Sequence, residues 1–297
     1  MKTSVVITSR NDNYGGHLNE RATYCLNSMC DTFDEVWYVD WSSPSDKSSL
    51  LYDIKNDIKT NNRLNHIVVN PQVASILTKN DVNAQKCCEV LGRNLGIRRA
   101  TGDWIVSSNI DIIAPKKEDL NQLLSTIDKN TFYTLSRRHI NRKEFENYSY
   151  DKFTELRNYL YKTTEPREHT EKVVEGDDYS IINCCGDFQI AHRDLWYDIK
   201  GFEERLIYCL YTDTNVQKKA AMHGYGLKAL FEPPAFHINH GTKGYGGGNF
   251  GGIEGGEAVD GMNRVTNDPQ DAIVTQYKTQ NLDSWGFSDL EVEYETL

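Results

Sequence analysis

The chain has 297 residues, a formal net charge of −10 and a mean hydropathy of −0.62. The acidic balance argues against a general nucleic-acid binder, because such proteins need a basic face for phosphate contacts. No apolar run approaches the ~18 residues of a membrane span and no signal peptide is evident, so we expect a cytoplasmic protein, at most peripheral to a membrane. The seven cysteines contain no CxxC pair, which disfavours zinc ligation and a disulfide framework.

The first 115 residues alternate between strand and helix patterns. Short apolar, β-branched runs predict strands at residues 4–8, 34–40, 66–70 and 103–107. Apolar residues at helical spacing predict helices over 18–29 and 84–95, with a weaker helix over 45–60. This alternation predicts an α/β fold with a mostly parallel central sheet flanked by helices. Ligands of such sheets bind beyond the carboxyl ends of the strands.

The second half of the chain has weaker patterns. Residues 116–180 are polar and rich in Tyr, and we expect a loosely organised helical insert there. Farther on, the sequence predicts a strand at 188–191, a turn at 201–204, a helix at 213–223 and a strand at 227–231. Without an internal repeat or a linker, residues 1–297 are expected to form a single domain.

Asn109 and Asp111 follow the fourth predicted strand, two positions apart. In a strand-end loop their side chains point the same way, and their oxygens suit a hard divalent cation. Taken alone, however, an Asp in this setting is more often a turn cap than a metal ligand.

Four separated blocks of the sequence favour the metal-ligand interpretation of Asp111 over the turn cap. They read SVVITSRND, VWYVDWSSP, RNLGIRRATGDWIVSSNIDIIAP, and a long segment from CGDFQIAH to FHINH. In this order they resemble glycosyltransferase family 2 and its relatives. The resemblance does not extend to residues 120–180 or to the tail beyond about residue 245.

The resemblance implies a GT-A fold, which is Rossmann-like, and transfer of a sugar from a nucleotide-diphosphate sugar to an acceptor hydroxyl. It favours a UDP-sugar donor, a glycan, glycoprotein or glycolipid acceptor, inversion at the anomeric carbon, and Mn²⁺ or Mg²⁺ as cofactor. Residues 1–115 are then the nucleotide-sugar half, 116–180 a variable insert, 181–240 the acceptor and catalytic half, and 241–297 a Gly-rich loop and tail.

The resemblance also implies roles for individual residues. The nucleotide-sugar contacts fall on Thr8, Arg10, Asp40, Arg93 and Asn109. Asp40 would accept a hydrogen bond from a base N–H, and Ser42 or Ser43 would hold the turn.

The resemblance implies that other residues bind the metal and transfer the proton. Asp111 would bind the metal together with His240, His237 being the alternative. Asp213 would be the catalytic base, although its place at a predicted helix start also suits an N-cap.

Four positions depart from the family pattern. Asn109 replaces the first Asp of the metal motif, so metal affinity is reduced or the donor sugar is contacted differently. Thr212 precedes Asp213 where the family has an acidic residue. Trp41 replaces the second Asp of the base-reading motif, and Glu203 replaces the Asp of the family's Gly-Phe-Asp-Glu turn.

Acceptor contacts are less defined. Asp187 and Trp196 are candidates, as are Tyr208, Tyr211 and Trp285, although large aromatic residues are more often part of the core. The basic run containing Arg137 and Arg138 is either a solvated face or an aid to the departing diphosphate.

Ten of the 21 glycines lie between Gly241 and Gly261. This segment is either a low-complexity linker or a mobile loop that closes over bound nucleotide, and its place directly after His240 favours the loop. Two alternatives to a transferase stay open. One is a nucleotidyltransferase, for which SRNDNYGGHLNE is a faint signature. The other is a non-catalytic sugar- or nucleotide-binding protein on a degenerate GT-A fold.

Overall fold

The computed structural model describes residues 1–59, 63–82, 84–141, 153–163, 186–207, 212–240 and 281–297. Within these ranges, helices flank a single nine-stranded sheet. No helix in them is long and apolar enough to cross a membrane.

The first half follows the predicted alternation. Its strands are β1 (Thr3–Ser9), β2 (Glu35–Trp41), β3 (Leu64–Val69) and β4 (Trp104–Ser108). Its helices are α1 (Leu18–Thr32), α2 (Leu50–Ile54, continued by a 3₁₀ turn at Lys55–Asp57), α3 (Pro71–Leu77) and α4 (Glu89–Ile97). All four predicted strands are confirmed, with their bounds shifted by one or two residues.

The second half begins after β4. Its strands are β5 (Ile112–Ile113), β6 (Thr131–Ile140), β7 (Phe188–His192), β8 (Gly226–Ile238) and β9 (Glu295–Thr296). Its helices are α5 (Lys117–Leu124), α6 (Phe153–Thr163), α7 (Arg193–Asp198) and α8 (Thr212–Met222), followed by a 3₁₀ turn at Trp285–Phe287.

The strand order is β5-β8-β6-β7-β4-β1-β2-β3-β9. Strands β4, β1, β2 and β3 are parallel to their neighbours within this set. By contrast, β7 runs antiparallel to both β4 and β6, β5 pairs antiparallel with β8, and β9 pairs antiparallel with β3. The prediction of a mostly parallel sheet is therefore correct for the first half, while the second half is mixed.

Strand β6 departs from the predicted helical insert over 116–180, whose described residues also form the helices α5 and α6. Its segment Phe132–Leu135 is buried and rich in β-forming residues, which suits a central strand with neighbours on both sides. A register shift against β8 falls between Leu135 and Arg137. The extra residues of β8 at this shift include Pro233 and Pro234, which a regular central strand would not accommodate.

Apolar clusters cover both faces of the sheet. On β1, Val6 faces the cluster that contains α4, whereas Val5 and Ile7 face the cluster that contains α1. This alternation follows from the period of two along a strand. With both faces covered, the carboxyl edge of the parallel strands is left as the place for polar chemistry.

Candidate functional site

Asp111 lies between β4 and β5, beside two histidines from β8 and the residues after it. Its Oδ2 atom is 2.8 Å from Nε2 of His240 and 3.7 Å from Nε2 of His237. The pairing of β5 with β8 sets this approach, because Ile112 is the register partner of His237. Both histidines that the sequence left as alternatives therefore contact the same carboxylate.

The charges around Asp111 favour its ionised form. Burial raises the pKa of this carboxyl group, but the hydrogen bond from His240 and the charges of His237, His240 and Arg21 outweigh it and hold the pKa at about 2. Arg21, on the buried side of α1, places Nη1 3.4 Å from Asp111 Oδ2. The carboxylate is thus kept as an anion inside the protein.

His237 has the opposite electrostatic character. Burial lowers its pKa to about 3, with Asp111 opposing the shift and Arg137, His139 and His240 reinforcing it. At neutral pH the imidazole is therefore uncharged and keeps a lone pair for coordination.

These groups fit a divalent cation. One ligand atom each from Asp111, His237 and His240 lies within 4.8 Å of the others. Asp111 Oδ1 and His237 Nδ1 are buried and have no hydrogen-bond partner among the described residues. A carboxylate with two imidazoles is a donor set that suits a first-row divalent ion such as Mn²⁺.

Asn109 is engaged elsewhere. Its Oδ1 atom accepts a hydrogen bond from Arg93 Nη2, and its Nδ2 atom donates to Asp187 Oδ1 at 2.6 Å. Arg93 also pairs with Glu89 at 2.9 Å. Asn109 therefore links Arg93 to Asp187 instead of turning its oxygen toward the metal-ligand group.

Asp187 is held from two sides. Besides Asn109, its carboxylate pairs with Arg137 of β6. Arg137 is therefore part of the site, whereas its neighbour Arg138 pairs with the exposed Glu232. The solvated-face interpretation of this basic run is correct for neither arginine, since both side chains are largely buried.

Asp213 lies in the first turn of α8. Its Oδ2 atom accepts from the backbone N–H of Gly186 at 2.8 Å, and its Oδ1 atom accepts from the N–H of Thr214 at 2.9 Å. A Cβ atom at position 186 would lie 2.1 Å from the Asp213 Cβ, so this approach requires glycine. Because Gly186 precedes Asp187, the contacts run continuously from Asp213 through Asp187 to Asn109.

Asp40 is the buried carboxylate of β2. Its Oδ2 atom accepts from the Ser49 hydroxyl at 2.7 Å and from the Leu50 N–H at 3.1 Å. Its Oδ1 atom is buried and lacks a hydrogen-bond partner in the described part of the chain. One acceptor oxygen is therefore left over at the carboxyl end of this strand.

The loops after β1 and β2 are tied together beside Asp40. Arg10 Nε donates to the Ser42 carbonyl at 2.7 Å, and the Asn11 N–H donates to the Ser43 hydroxyl at 2.8 Å. Ser42 has a φ of 59°, the left-handed region, as a tight turn requires. Both serines therefore hold the turn, the carbonyl of one and the side chain of the other.

An open cleft lies between these loops. Its lining comes from residues after β1 and after β2: Asn11, Asn13, Gly16, His17, Leu18, Asn19, Asp46, Lys47, Ser48 and Asp53. Thr8 faces away toward α4, where a side chain at Gly92 would collide with it. None of the donor-side candidates Thr8, Arg10 and Asp40 is among these lining residues; Arg10 follows β1 and Asp40 lies in β2.

Two of the aromatic candidates, Trp196 and Trp285, are core residues. Trp196 is fully buried, donates its indole N–H to the Ile105 carbonyl at 3.0 Å, and packs on Phe132 and Phe202. The proposed acceptor role of Trp196 is corrected on this ground, and Trp285 is buried as well. Tyr208, Tyr211 and the Gly-rich segment 241–261 lie outside the described residues.

Arg21 is a functional candidate that the sequence did signal, since it is the charged residue within the buried stripe that contains Leu18, Ala22 and Cys25. No local pattern points to Ser49, His66 or Glu295. Glu295 meets His66 only through the pairing of β9 with β3, and Ser49 meets His66 from the start of α2.

Residues 90–199 match the model of the glycosyl transferase family 2 family. This range includes Arg93, Asn109, Asp111 and Asp187. No curated protein matches the chain significantly in sequence.

Two solved structures are similar to this chain. S. aureus TarS 1–349 in complex with UDP has a TM-score of 0.50 and 17% identity, with 80% of this chain and 61% of that chain covered. The Pyrobaculum calidifontis mannosyltransferase PcManGT in complex with GDP-Man and Mn²⁺ has a TM-score of 0.46 and 16% identity, covering 82% and 58%. The chain therefore spans about three fifths of the length of these structures, and the likeness to TarS shows the GT-A fold that the sequence predicts.

Proposed function

We propose that the chain is a metal-dependent, inverting glycosyltransferase that transfers a sugar from a nucleotide-diphosphate sugar, preferably a UDP-sugar. The match of residues 90–199 to the glycosyl transferase family 2 model and the GT-A fold support this proposal. The acceptor is a hydroxyl of a glycan, glycoprotein or glycolipid. One observation carries the proposal: Asp111, His237 and His240 converge within 4.8 Å at the sheet edge expected to bind nucleotide.

The donor nucleotide is assigned to residues 1–115. Arg10 and Asp40 flank the carboxyl ends of β1 and β2, with Thr8 beneath them. The free Oδ1 atom of Asp40 is the acceptor for a base N–H, because its other oxygen is already engaged by Ser49 and Leu50.

Asp111, His237 and His240 would hold Mn²⁺ or Mg²⁺. A bound divalent cation supplies Lewis-acid stabilisation of the charge that develops on a departing diphosphate. Asp111 is already ionised for this purpose and His237 is already neutral, so neither residue has to lose a proton on binding.

Arg93 and Arg137 add fixed positive charge beside Asn109 and Asp187. Both guanidinium groups are largely buried, and preorganised charges in a water-poor site stabilise a developing anion better than solvated ones. We assign Arg93 and Asn109 to the diphosphate and sugar, and Asp187 to the sugar-facing part of residues 181–240.

Asp213 would take the proton from the acceptor hydroxyl as that oxygen attacks the anomeric carbon. The two backbone N–H groups on its oxygens stabilise the carboxylate and fix its orientation. Direct attack opposite the leaving group inverts the anomeric centre.

A nucleotide-sugar panel with Mn²⁺ tests this function, with donor hydrolysis and transfer as readouts. Asp213→Asn should abolish turnover and leave metal-dependent nucleotide binding near wild type. Asp194→Asn is the matched control, because Asp194 also lies in the first turn of a helix and is exposed. Turnover retained in Asp213→Asn would remove Asp213 from catalysis.

A second candidate is a non-catalytic nucleotide-sugar-binding protein. It is favoured by the engagement of both Asp213 oxygens with backbone N–H groups and by the engagement of Asn109 with Arg93. Metal-dependent binding of a nucleoside diphosphate without turnover on any donor would support this candidate.

A further inference from the structure

A line of hydrogen bonds connects the C-terminal strand to Asp40. Glu295 Oε1 on β9 is 3.0 Å from His66 Nδ1 on β3. His66 Nε2 is 2.9 Å from the Ser49 hydroxyl, which lies 2.7 Å from Asp40 Oδ2. Residues 229 positions apart in sequence are thus joined to the carboxylate proposed to contact the nucleotide base.

The inner members of this line are shielded from water. Asp40 is 0% exposed, His66 1% and Ser49 6%, whereas the Glu295 side chain is 43% exposed. A hydrogen bond between buried groups is costly to leave unmade, so each inner residue depends on its neighbour for orientation. Glu295 is the end that reaches solvent.

Packing fixes the His66 ring in this line. The ring stacks on Tyr38 at a centroid distance of 5.4 Å and meets the edge of Tyr52 at 5.2 Å. The Glu295 carboxylate can only accept, so His66 donates to it through Nδ1. The Ser49 hydroxyl gives its one proton to Asp40, so its oxygen accepts from Nε2, and the line is complete when both ring nitrogens of His66 carry a proton.

A Ser–His–Glu line also resembles a hydrolase triad, but the surroundings oppose that chemistry. Asp40 Oδ2 lies 2.7 Å from the Ser49 oxygen and would repel any negative charge that develops there. Ser49 is also buried at the start of α2. The line therefore acts on Asp40, not on a bound ester.

Strand β9 brings Glu295 to this position. Asn65 pairs with Thr296 and His66 pairs with Glu295 in an antiparallel register, and the Leu297 N–H donates to the Leu64 carbonyl at 3.0 Å. The same strand that completes the sheet edge therefore delivers the carboxylate that orients His66.

We propose that Glu295, His66 and Ser49 are positioning residues for nucleotide-base recognition, and that β9 acts through them on Asp40. They hold Asp40 Oδ2 so that Oδ1 faces the base. This inference rests on the proposed function, since it assumes that Asp40 contacts the base.

Calorimetric titration of UDP, CDP, GDP and ADP with Mn²⁺ tests the proposal in the full chain. Glu295→Gln and Ser49→Ala should each weaken the preferred nucleotide by about fivefold to tenfold and reduce its preference over the others. Glu293→Gln is the matched control, because it removes the same charge from an exposed residue two positions away.

A double-mutant cycle separates positioning from general stability. If Glu295 acts through Asp40, Glu295→Gln should add little to the loss already caused by Asp40→Asn. A loss that is equal for all four nucleotides and for inorganic pyrophosphate, with a lowered melting temperature, would show a structural role only and overturn the proposal. Affinity and preference unchanged in both Glu295→Gln and Ser49→Ala would overturn it as well.

His66→Phe provides a further variant that keeps the aromatic packing and removes both ring nitrogens. It should match the loss seen in Glu295→Gln, and imidazole NMR of the wild type should show a proton on Nδ1 of His66. Failure of the wild type to bind any nucleotide would overturn the proposed function and this inference together. If the wild type binds nucleotide and the variants bind it with the same affinity and preference, this inference alone is overturned.

Discussion

Asp40 and Asp111 lie at the same edge of one sheet and differ in their neighbours. Each keeps one buried oxygen without a hydrogen-bond partner in the described ranges. The other oxygen of Asp40 meets a hydroxyl and a backbone N–H, whereas that of Asp111 meets His240 and Arg21. Two similar strand-end carboxylates therefore sit in different electrostatic surroundings.

The groups next to a buried carboxylate, more than its position at the sheet edge, therefore decide what it can bind. Neutral donors around Asp40 suit a hydrogen bond from a neutral N–H group. Around Asp111, two imidazoles offer lone pairs in addition to the carboxylate, which suits a metal ion. Mutations can therefore separate the base region around Asp40 from the metal region around Asp111.

The largest effect is expected in the metal region. Asp111→Asn removes the charged ligand, so we expect kcat/KM to fall at least about 100-fold and nucleotide affinity to lose its dependence on Mn²⁺. Transfer kinetics with and without Mn²⁺ measure this. Asp289→Asn, an exposed carboxylate in the C-terminal segment, should change neither quantity, and a metal response retained in Asp111→Asn would contradict the assignment.

The base region should respond differently. Asp40→Asn should weaken nucleotide binding about tenfold, because a hydrogen bond to a charged acceptor is lost. The ratio of affinities with Mn²⁺ and with EDTA should stay at the wild-type value, as measured by calorimetry. A collapse of that ratio would mean that the two regions are not separate.

A charge added beside the metal region has an expected effect of similar size. Asn109→Asp places a second carboxylate next to Asp187, whose Oδ1 atom is 2.6 Å from Asn109 Nδ2, and like charges at this distance oppose each other. We expect kcat/KM to fall about tenfold. Adding Asp187→Asn should restore most of it, because one charge again faces Arg93 and Arg137. If kcat/KM of the double variant is no higher than that of Asn109→Asp, the position of the negative charge matters and not the net charge of the two side chains.

Lys219 lies in neither region. It is a buried charged group whose neighbours offset only part of the effect of burial on its pKa. It is fully buried, donates to the Gly201 carbonyl at 2.8 Å, and lies 3.8 Å from Glu203 Oε2. Burial, opposed by Glu203 and Glu204, lowers the pKa of Lys219 from 10.5 to about 8. At Asp111, by contrast, neighbouring charges outweigh burial.

The lowered pKa of Lys219 makes the free energy of unfolding depend on pH in a defined direction. Between pH 8 and 10.5 the unfolded chain binds more protons at this lysine than the folded chain, so its contribution to the free energy of unfolding rises with pH. The slope is at most about 1.4 kcal/mol per pH unit. Urea unfolding from pH 7.5 to 9.5 should show this rise in the wild type and in the exposed control Lys228→Met, but not in Lys219→Met. Parallel curves for all three proteins would contradict it.

The first half of the fold could be predicted because its parallel strands are buried on both faces and appear as short apolar runs between helices. Asp40, Asp111 and Asp213 could be singled out because they lie in sequence blocks that resemble glycosyltransferase family 2; their places at element ends alone favoured a turn cap or an N-cap. Strand β6 was missed because its buried residues precede the basic Arg137–Arg138 pair in a polar region.

Contacts that depend on distant pairing could not be predicted. His237 reaches Asp111 only because β5 pairs with β8, and Glu295 reaches His66 only because β9 pairs with β3. A local pattern fixes which face a residue occupies, but it contains no information on which strand lies alongside.

The most direct test of the central claim is Mn²⁺ binding by electron paramagnetic resonance in the presence of UDP. The wild type should deplete the signal of free aqueous Mn²⁺ at stoichiometric protein, and more strongly with UDP than without it. Asp111→Asn should leave that signal at the level of a protein-free sample containing UDP, whereas Asp40→Asn should still deplete it when UDP is raised to compensate for weaker binding. Equal depletion by the wild type and Asp111→Asn would contradict the assignment of Asp111 as the ligand that holds the metal.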